Sequence, residues 1–150
     1  MSFLSNTDFD SLLKPEFRQH SLVHWTPFDI VKKCSLWLNS QKAKNTLDIG
    51  SGVGKFCLIS QEYSSGYYTG IELRLDLVEE SNRLLQELKS DRVNFIQSNI
   101  LEFDFSPFDS FFYYNPFCEQ EATSGFIDNL IEIKSELFEQ YSNYVWSQLD

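Results

Sequence analysis

The sequence predicts an α/β fold on an open, all-parallel sheet, with helices on both faces and a helical segment ahead of the first strand. Two observations predict it. Short apolar runs alternate with longer amphipathic stretches between residues 45 and 114, the spacing of βαβ units. A glycine cluster, Gly50-Ser51-Gly52-Val53-Gly54, stands where the first apolar run gives way to a helical pattern. Right-handed crossovers place strand 2 beside strand 1 and strand 3 beside strand 2. A fourth strand returning to the far side of strand 1 makes the order 3-2-1-4. That order creates a switch point between strands 1 and 4, where open α/β sheets bind ligands.

The elements follow in order. Asp8 to Gln19 is expected to hold a short helix interrupted or begun at Pro15. Thr26 is placed to cap a second helix, with Pro27 in its first turn and Phe28, Val31, Leu36 and Trp37 on its stripe to about Asn39. Thr46 to Ile49 reads as a strand, Lys55 to Tyr63 as a helix, Tyr67 to Glu72 as a strand. Asp76 to Lys89 is an amphipathic helix with Leu77, Val78, Leu84, Leu85 and Leu88 on its apolar side. Val93 to Gln97 is a third strand. Ser110 to Tyr114 is a fourth, an aromatic run suited to burial on both faces. A long last helix is expected from Thr123 to Gln148. Residues 1–44 are read as an N-terminal helical segment packed on a core of residues 45–150, together one domain.

Composition narrows the function. The chain has 150 residues, 42% of them hydrophobic, enough for a packed core. Its net charge of −10 counts against nucleic acid and anionic membranes as partners. No apolar run approaches the roughly 20 residues of a membrane span, and Met1-Ser2-Phe3-Leu4-Ser5 has no signal-peptide pattern. Cys34, Cys57 and Cys118 form no CxxC pair. They suit neither a disulfide framework nor a metal site, and read as reduced thiols of a cytoplasmic protein.

The chemistry gathers at the carboxyl ends of the predicted strands. Gly50, Gly52 and Gly54 allow a sharp turn and close ligand approach, followed by the free N–H groups of a helix start. The dinucleotide fingerprint G-x-G-x-x-G would need glycine where Lys55 stands, so a nicotinamide-linked oxidoreductase is disfavoured. Asp48, within an apolar strand, is placed to order the glycine loop through its N–H groups or a water. Glu72 ends strand 2 about 20 residues on, placed to accept from ribose hydroxyls. Asn99, after strand 3, offers a carbonyl oxygen to an adenine amino group. Asn115-Pro116-Phe117, after strand 4, offers a polar amide on a backbone stiffened by proline. His20 and His24 read as surface or packed residues.

With these motifs in order, the sequence resembles the class I, Rossmann-like, S-adenosylmethionine-dependent methyltransferases. The likeness runs from about Thr26 to Phe117. Leu47–Phe56 is similar to the family's first motif, Gly70-Ile71-Glu72 to the second, and Gln97–Leu101 to the third, with Asn99 where Asp is usual. Asn115-Pro116-Phe117 is similar to the fourth, which reads Asn-Pro-Pro-aromatic in members that methylate amino groups. The resemblance implies S-adenosylmethionine as cofactor. Gly50, Gly52 and Gly54 would face its methionine part, with Asp48 ordering that loop. Glu72 would hold its ribose, with Ile71 or Leu73 against the adenine; Asn99 and Ile100 would also meet the adenine. Asn115, Pro116 and Phe117 would face a small-molecule or protein methyl acceptor, with nitrogen as the atom suggested. A non-catalytic binding module on the same fold is the alternative.

The family fold carries further strands beyond the fourth. The sequence is therefore expected to be truncated at its C-terminal side relative to the complete fold, and not necessarily active alone. The Phe111–Tyr114 run would form an exposed edge, open to self-association.

Overall fold

The computed structural model describes residues 3–149. Its four strands are β1 (Asn45–Ile49), β2 (Tyr67–Glu72), β3 (Val93–Gln97) and β4 (Ser110–Tyr113). They form one parallel sheet in the order β3-β2-β1-β4, as expected. Register aligns Asp48 of β1 with Gly70 of β2 and Phe112 of β4. The carboxyl ends of the strands thus come out together on one side.

Side chains alternate across the pleat. Leu47, Ile49 and Ile71 face one side, where they pack with Phe105, Tyr141 and Val145. The last two belong to the C-terminal helix. Tyr68, Phe95 and Phe112 face the other side, among Val31, Phe56 and Leu77. These come from the helices Phe28–Ser40, Lys55–Tyr63 and Leu75–Leu88. The Phe56 and Phe112 rings stack with centroids 3.6 Å apart. The aromatic run of β4 is thereby shared between both faces. Among the described residues, no helix is long and apolar enough to cross a membrane.

One helix expectation holds and two are corrected. The N-terminal pattern is interrupted and re-entered at Pro15 as expected, giving α1 (Asn6–Asp10) and α2 (Pro15–Arg18), because Pro15 has no N–H to continue a helix and instead opens one. The next helix, α3 (Phe28–Ser40), has Pro27 at its cap position, and Thr26 makes no cap bond. The Phe28 N–H is taken by Asn6 Oδ1 at 2.8 Å. The last helix spans only Ser135–Leu149. Residues 121–134 are turns, since Gly125 takes a left-handed φ of +77° and acid side chains capture the N–H groups of Ile127 and Leu130. The periodic Ile127, Leu130 and Ile131 therefore lie on a strap and not on a helix.

The N-terminal segment is bound tightly to the core. Phe3, Phe9, Leu13, Phe17 and Trp25 are buried. Lys55, with a side chain only 3% exposed, starts the helix after the glycine loop. Its Nζ donates to Asn6 Oδ1 at 2.8 Å and Asp10 Oδ1 at 3.3 Å. Asn6 thus caps one helix and helps solvate a buried ammonium. Asn6→Ala should cost about 2 kcal/mol in urea unfolding, while Asn6→Asp should retain most of that stability. An unchanged midpoint in Asn6→Ala would show the contact to be energetically empty.

Candidate functional site

A pocket opens over the carboxyl ends of the strands. Asp48, Gly50, Gly52, Glu72, Asn99, Ile100, Asn115, Pro116 and Phe117 all line it. Gly54, also expected there, does not. A side chain on Gly54 would run into Phe95 and Ser81, and its φ is +77°. Its glycine identity therefore serves the packing of the following helix against β3, not ligand approach.

The glycine loop is held from the neighbouring strand. Glu72 Oε2 accepts the Gly52 N–H at 3.0 Å. Oε1 accepts the N–H groups of Leu73 at 2.8 Å and Arg74 at 3.0 Å. Burial pushes the Glu72 carboxyl above its ordinary range, against the opposing pull of these N–H groups and the Arg74 charge. Asp48 was expected to order this loop. Among the described residues the only hydrogen bond of its side chain is from the Cys57 thiol, at 3.5 Å. The direct route through the loop N–H groups falls to Glu72 for a geometric reason: the Asp48 side chain meets the helix bearing Cys57, while Glu72 stands beside the turn.

The other predicted residues are brought together at the rim. Asn99 Oδ1 accepts the Leu101 N–H at 3.0 Å and so caps the short turn Ile100–Glu102. Asn115 takes a left-handed φ of +47° and is exposed. Its side-chain amide makes no hydrogen bond among the described residues, so it is open to a ligand. Pro116 packs directly on Gly50.

Several site residues carried little signal in the sequence. Trp25 packs on the loop, with a ring carbon 3.0 Å from where a Cβ on Gly52 would sit. Arg74 is buried; its Nη1 meets Glu119 Oε2 at 2.9 Å and its Nε meets Asp128 Oδ2 at 3.0 Å. The arginine ties the 118–131 strap to the end of β2. His24 Nε2 lies 2.7 Å from the Gly125 carbonyl oxygen, and so must donate to it. His24 is thereby committed to the strap, and His20 does not line the pocket. The signals available were the Thr26-Pro27 segment beside Trp25, which can close over a cofactor, and the position of Arg74 two residues after Glu72.

These residues fit an adenosyl cofactor. Glu72 Oε2 has one donor and keeps a lone pair for a hydroxyl. Ile71, Leu73 and Ile100 supply apolar walls, and Trp25 and Tyr114 aromatic ones.

Comparison with known proteins agrees. Residues 40–146 match the model of a family described as a methyltransferase domain. The chain belongs to that family, and its sheet is that of the class I, Rossmann-like, S-adenosylmethionine-dependent methyltransferases. Two curated relatives, both tRNA (guanine-N(7)-)-methyltransferases, come from Synechococcus sp. strains JA-3-3Ab and JA-2-3B'a(2-13). Each is 46% identical over 55 residues, which is 36% of this chain and 23% of the relative. A solved RNA methyltransferase from Salinibacter ruber, in complex with S-adenosyl-L-homocysteine, is 27% identical with a TM-score of 0.51. The match covers 57% of each chain. The chain therefore spans about a quarter of the curated relatives' length. All three relatives are RNA enzymes, so the low rank that net charge assigns to nucleic acid finds no support among them.

Asp48 sets the pH response of the site. Burial pushes its carboxyl up to about 7, and the nearby Glu72 charge adds to this. The folded chain then holds a proton that the unfolded chain releases, so this group's contribution to stability falls as pH rises from about 4 to about 7. Asp48→Asn should raise the thermal midpoint at pH 8 and flatten its change between pH 5.5 and 8. The effect should be on the order of a few kcal/mol. A midpoint at pH 8 unchanged by the substitution would contradict this.

Proposed function

We propose that this chain binds S-adenosylmethionine in the β1–β2–β4 pocket and directs its methyl group to a nitrogen acceptor. The observation that carries the reading is the bond from the Gly52 N–H to Glu72 Oε2, 3.0 Å long and buried. It holds the glycine turn open beside a carboxylate with a free lone pair. When bound, the cofactor supplies a methyl group already activated by a cationic sulfonium. The protein must then bind, align and exclude water. Glu72 would accept from the ribose hydroxyls, and Asn99 and Ile100 would meet the adenine. Asn115 would accept an N–H of the acceptor and turn its lone pair toward the methyl group. Phe117 and Pro116 would wall that approach.

Two acceptor classes have support. The two tRNA (guanine-N(7)-)-methyltransferases support a base nitrogen of RNA, and the Salinibacter ruber RNA methyltransferase supports RNA more broadly. The net charge of −10 supports a small molecule or a protein side chain, neither of which needs a basic footprint. Tritiated methyl transfer from S-adenosylmethionine separates them: label in bulk tRNA favours the first, label in amines or protein the second. Cofactor binding without any transfer would favour a binding module.

Calorimetric titration with S-adenosylhomocysteine tests the cofactor site. Micromolar affinity is expected for the wild-type chain. Glu72→Gln should weaken it by about tenfold or more, the equivalent of one charge-assisted hydrogen bond. No heat of binding at about 1 mM ligand would overturn the reading.

A further inference from the structure

We infer that the solvent face of α3 and of the 41–44 connector docks a single-stranded segment of RNA, with phosphates on Lys32, Lys33, Lys42 and Lys44 and a base on Trp37. The inference rests on the reading that the methyl acceptor is RNA, and it adds a docking surface outside the cofactor pocket.

Charge is unevenly spread along this acidic chain. Four of its 12 lysines and arginines fall within residues 30–47, where no aspartate or glutamate stands. All four are exposed. Among the described residues none of them makes an ion pair, whereas Lys14, Lys55, Arg74, Arg83 and Lys134 are all paired with carboxylates. Arg18 and Arg92 are spent on backbone carbonyl oxygens. The acidic neighbours of the face include Asp29, in the first turn of α3, and Asp109, which accepts the N–H groups of Lys44 and Asn45. At about 0.1 M salt, exposed charges more than about 10 Å apart are largely screened. The local excess of lysine, not the net charge of −10, therefore decides what this face attracts.

An aromatic ring stands among these cations. The sequence puts Leu36 and Trp37 on the apolar stripe of α3, but the helix buries Phe28, Val31 and Leu38 and leaves Leu36 49% and Trp37 61% exposed. Lys33 lies one turn from Trp37, so a charge and a flat ring share one face. At the far end Tyr67, 59% exposed, donates its N–H to the Lys44 carbonyl oxygen at 2.8 Å and brings a second ring beside the last lysine. Lysines interleaved with exposed rings suit single-stranded nucleic acid, which needs cations for its phosphates and platforms for its bases. An acidic peptide would use the lysines but offers the rings no base to stack on. The face also leads to the pocket. Trp25 and Thr26, just ahead of α3, line the pocket, and the 13 residues of α3 run about 20 Å from there to the connector. One nucleotide can thus enter the pocket while its neighbours lie along α3.

The test is fluorescence anisotropy of a labelled single-stranded RNA of about 12 nucleotides titrated with the 150-residue chain. If each of the four lysines meets a phosphate, log affinity falls against log salt with a slope of about −3. Lys33→Gln combined with Lys42→Gln should cut that slope to about half. Trp37→Ala should weaken binding by about fivefold or more at an unchanged slope. Both variants change exposed residues outside the pocket, so their affinity for S-adenosylhomocysteine should stay at the wild-type value and certify the fold. In methyl transfer to tRNA they should raise KM and leave kcat unchanged. RNA affinity and KM unchanged in both variants overturn the docking surface and leave the RNA acceptor standing. Polyglutamate bound as tightly as the RNA overturns it as well. So does a dimer of the wild-type chain that Trp37→Ala dissociates without loss of RNA affinity. Label found in amines or protein but never in tRNA overturns the RNA acceptor and this inference together.

Discussion

The structure depends on one buried carboxylate gathering backbone N–H groups from two places. Glu72 takes one from the glycine loop and two from its own turn into the next helix. A lone carboxylate in an apolar interior would be costly, and these donors offset the loss of water. The same bonds align the ends of β1 and β2 and hold the turn in the left-handed backbone that glycine permits. Arg74 extends the tie, since its backbone serves Glu72 and its side chain reaches Glu119 and Asp128.

Two segments distant in sequence converge on that tie. The N-terminal segment brings Trp25 against Gly52, anchored by the buried Lys55 with Asn6 and Asp10. The 118–131 strap comes from the other end of the chain and is held by Arg74 and His24. The pocket is thus walled by an element from outside the family-matched residues 40–146 and by a strap within them.

The sheet was legible because its signals are local. Alternating apolar runs, a glycine turn and right-handed crossovers leave little freedom in strand order, and β2 and β3 fall where periodicity puts them. The pocket-lining set was legible for the same reason, since strand ends carry ligand chemistry in this topology. What failed depended on long-range contacts. The sequence assigns the loop to Asp48 and the ribose to Glu72, and only the three-dimensional turn shows that Glu72 holds the loop. Gly54 reads as a third ligand glycine until Phe95 is seen behind it. Periodicity through Ile127, Leu130 and Ile131 implies a helix, but competing side-chain acceptors and Gly125 break it into turns. The Thr26-Pro27 segment beside Trp25 reads as able to close over a cofactor, but not as packing on a loop 27 residues later.

The most direct test of the account is hydrogen exchange at the Gly52 amide in the ligand-free chain, followed by NMR. If Glu72 holds the loop, this amide exchanges as slowly as the β2 amides. In Glu72→Ala it should open to the rate of an exposed loop while Leu47 in β1 stays protected. Rapid exchange of Gly52 in the wild-type chain would contradict the claim that the site is preformed around Glu72.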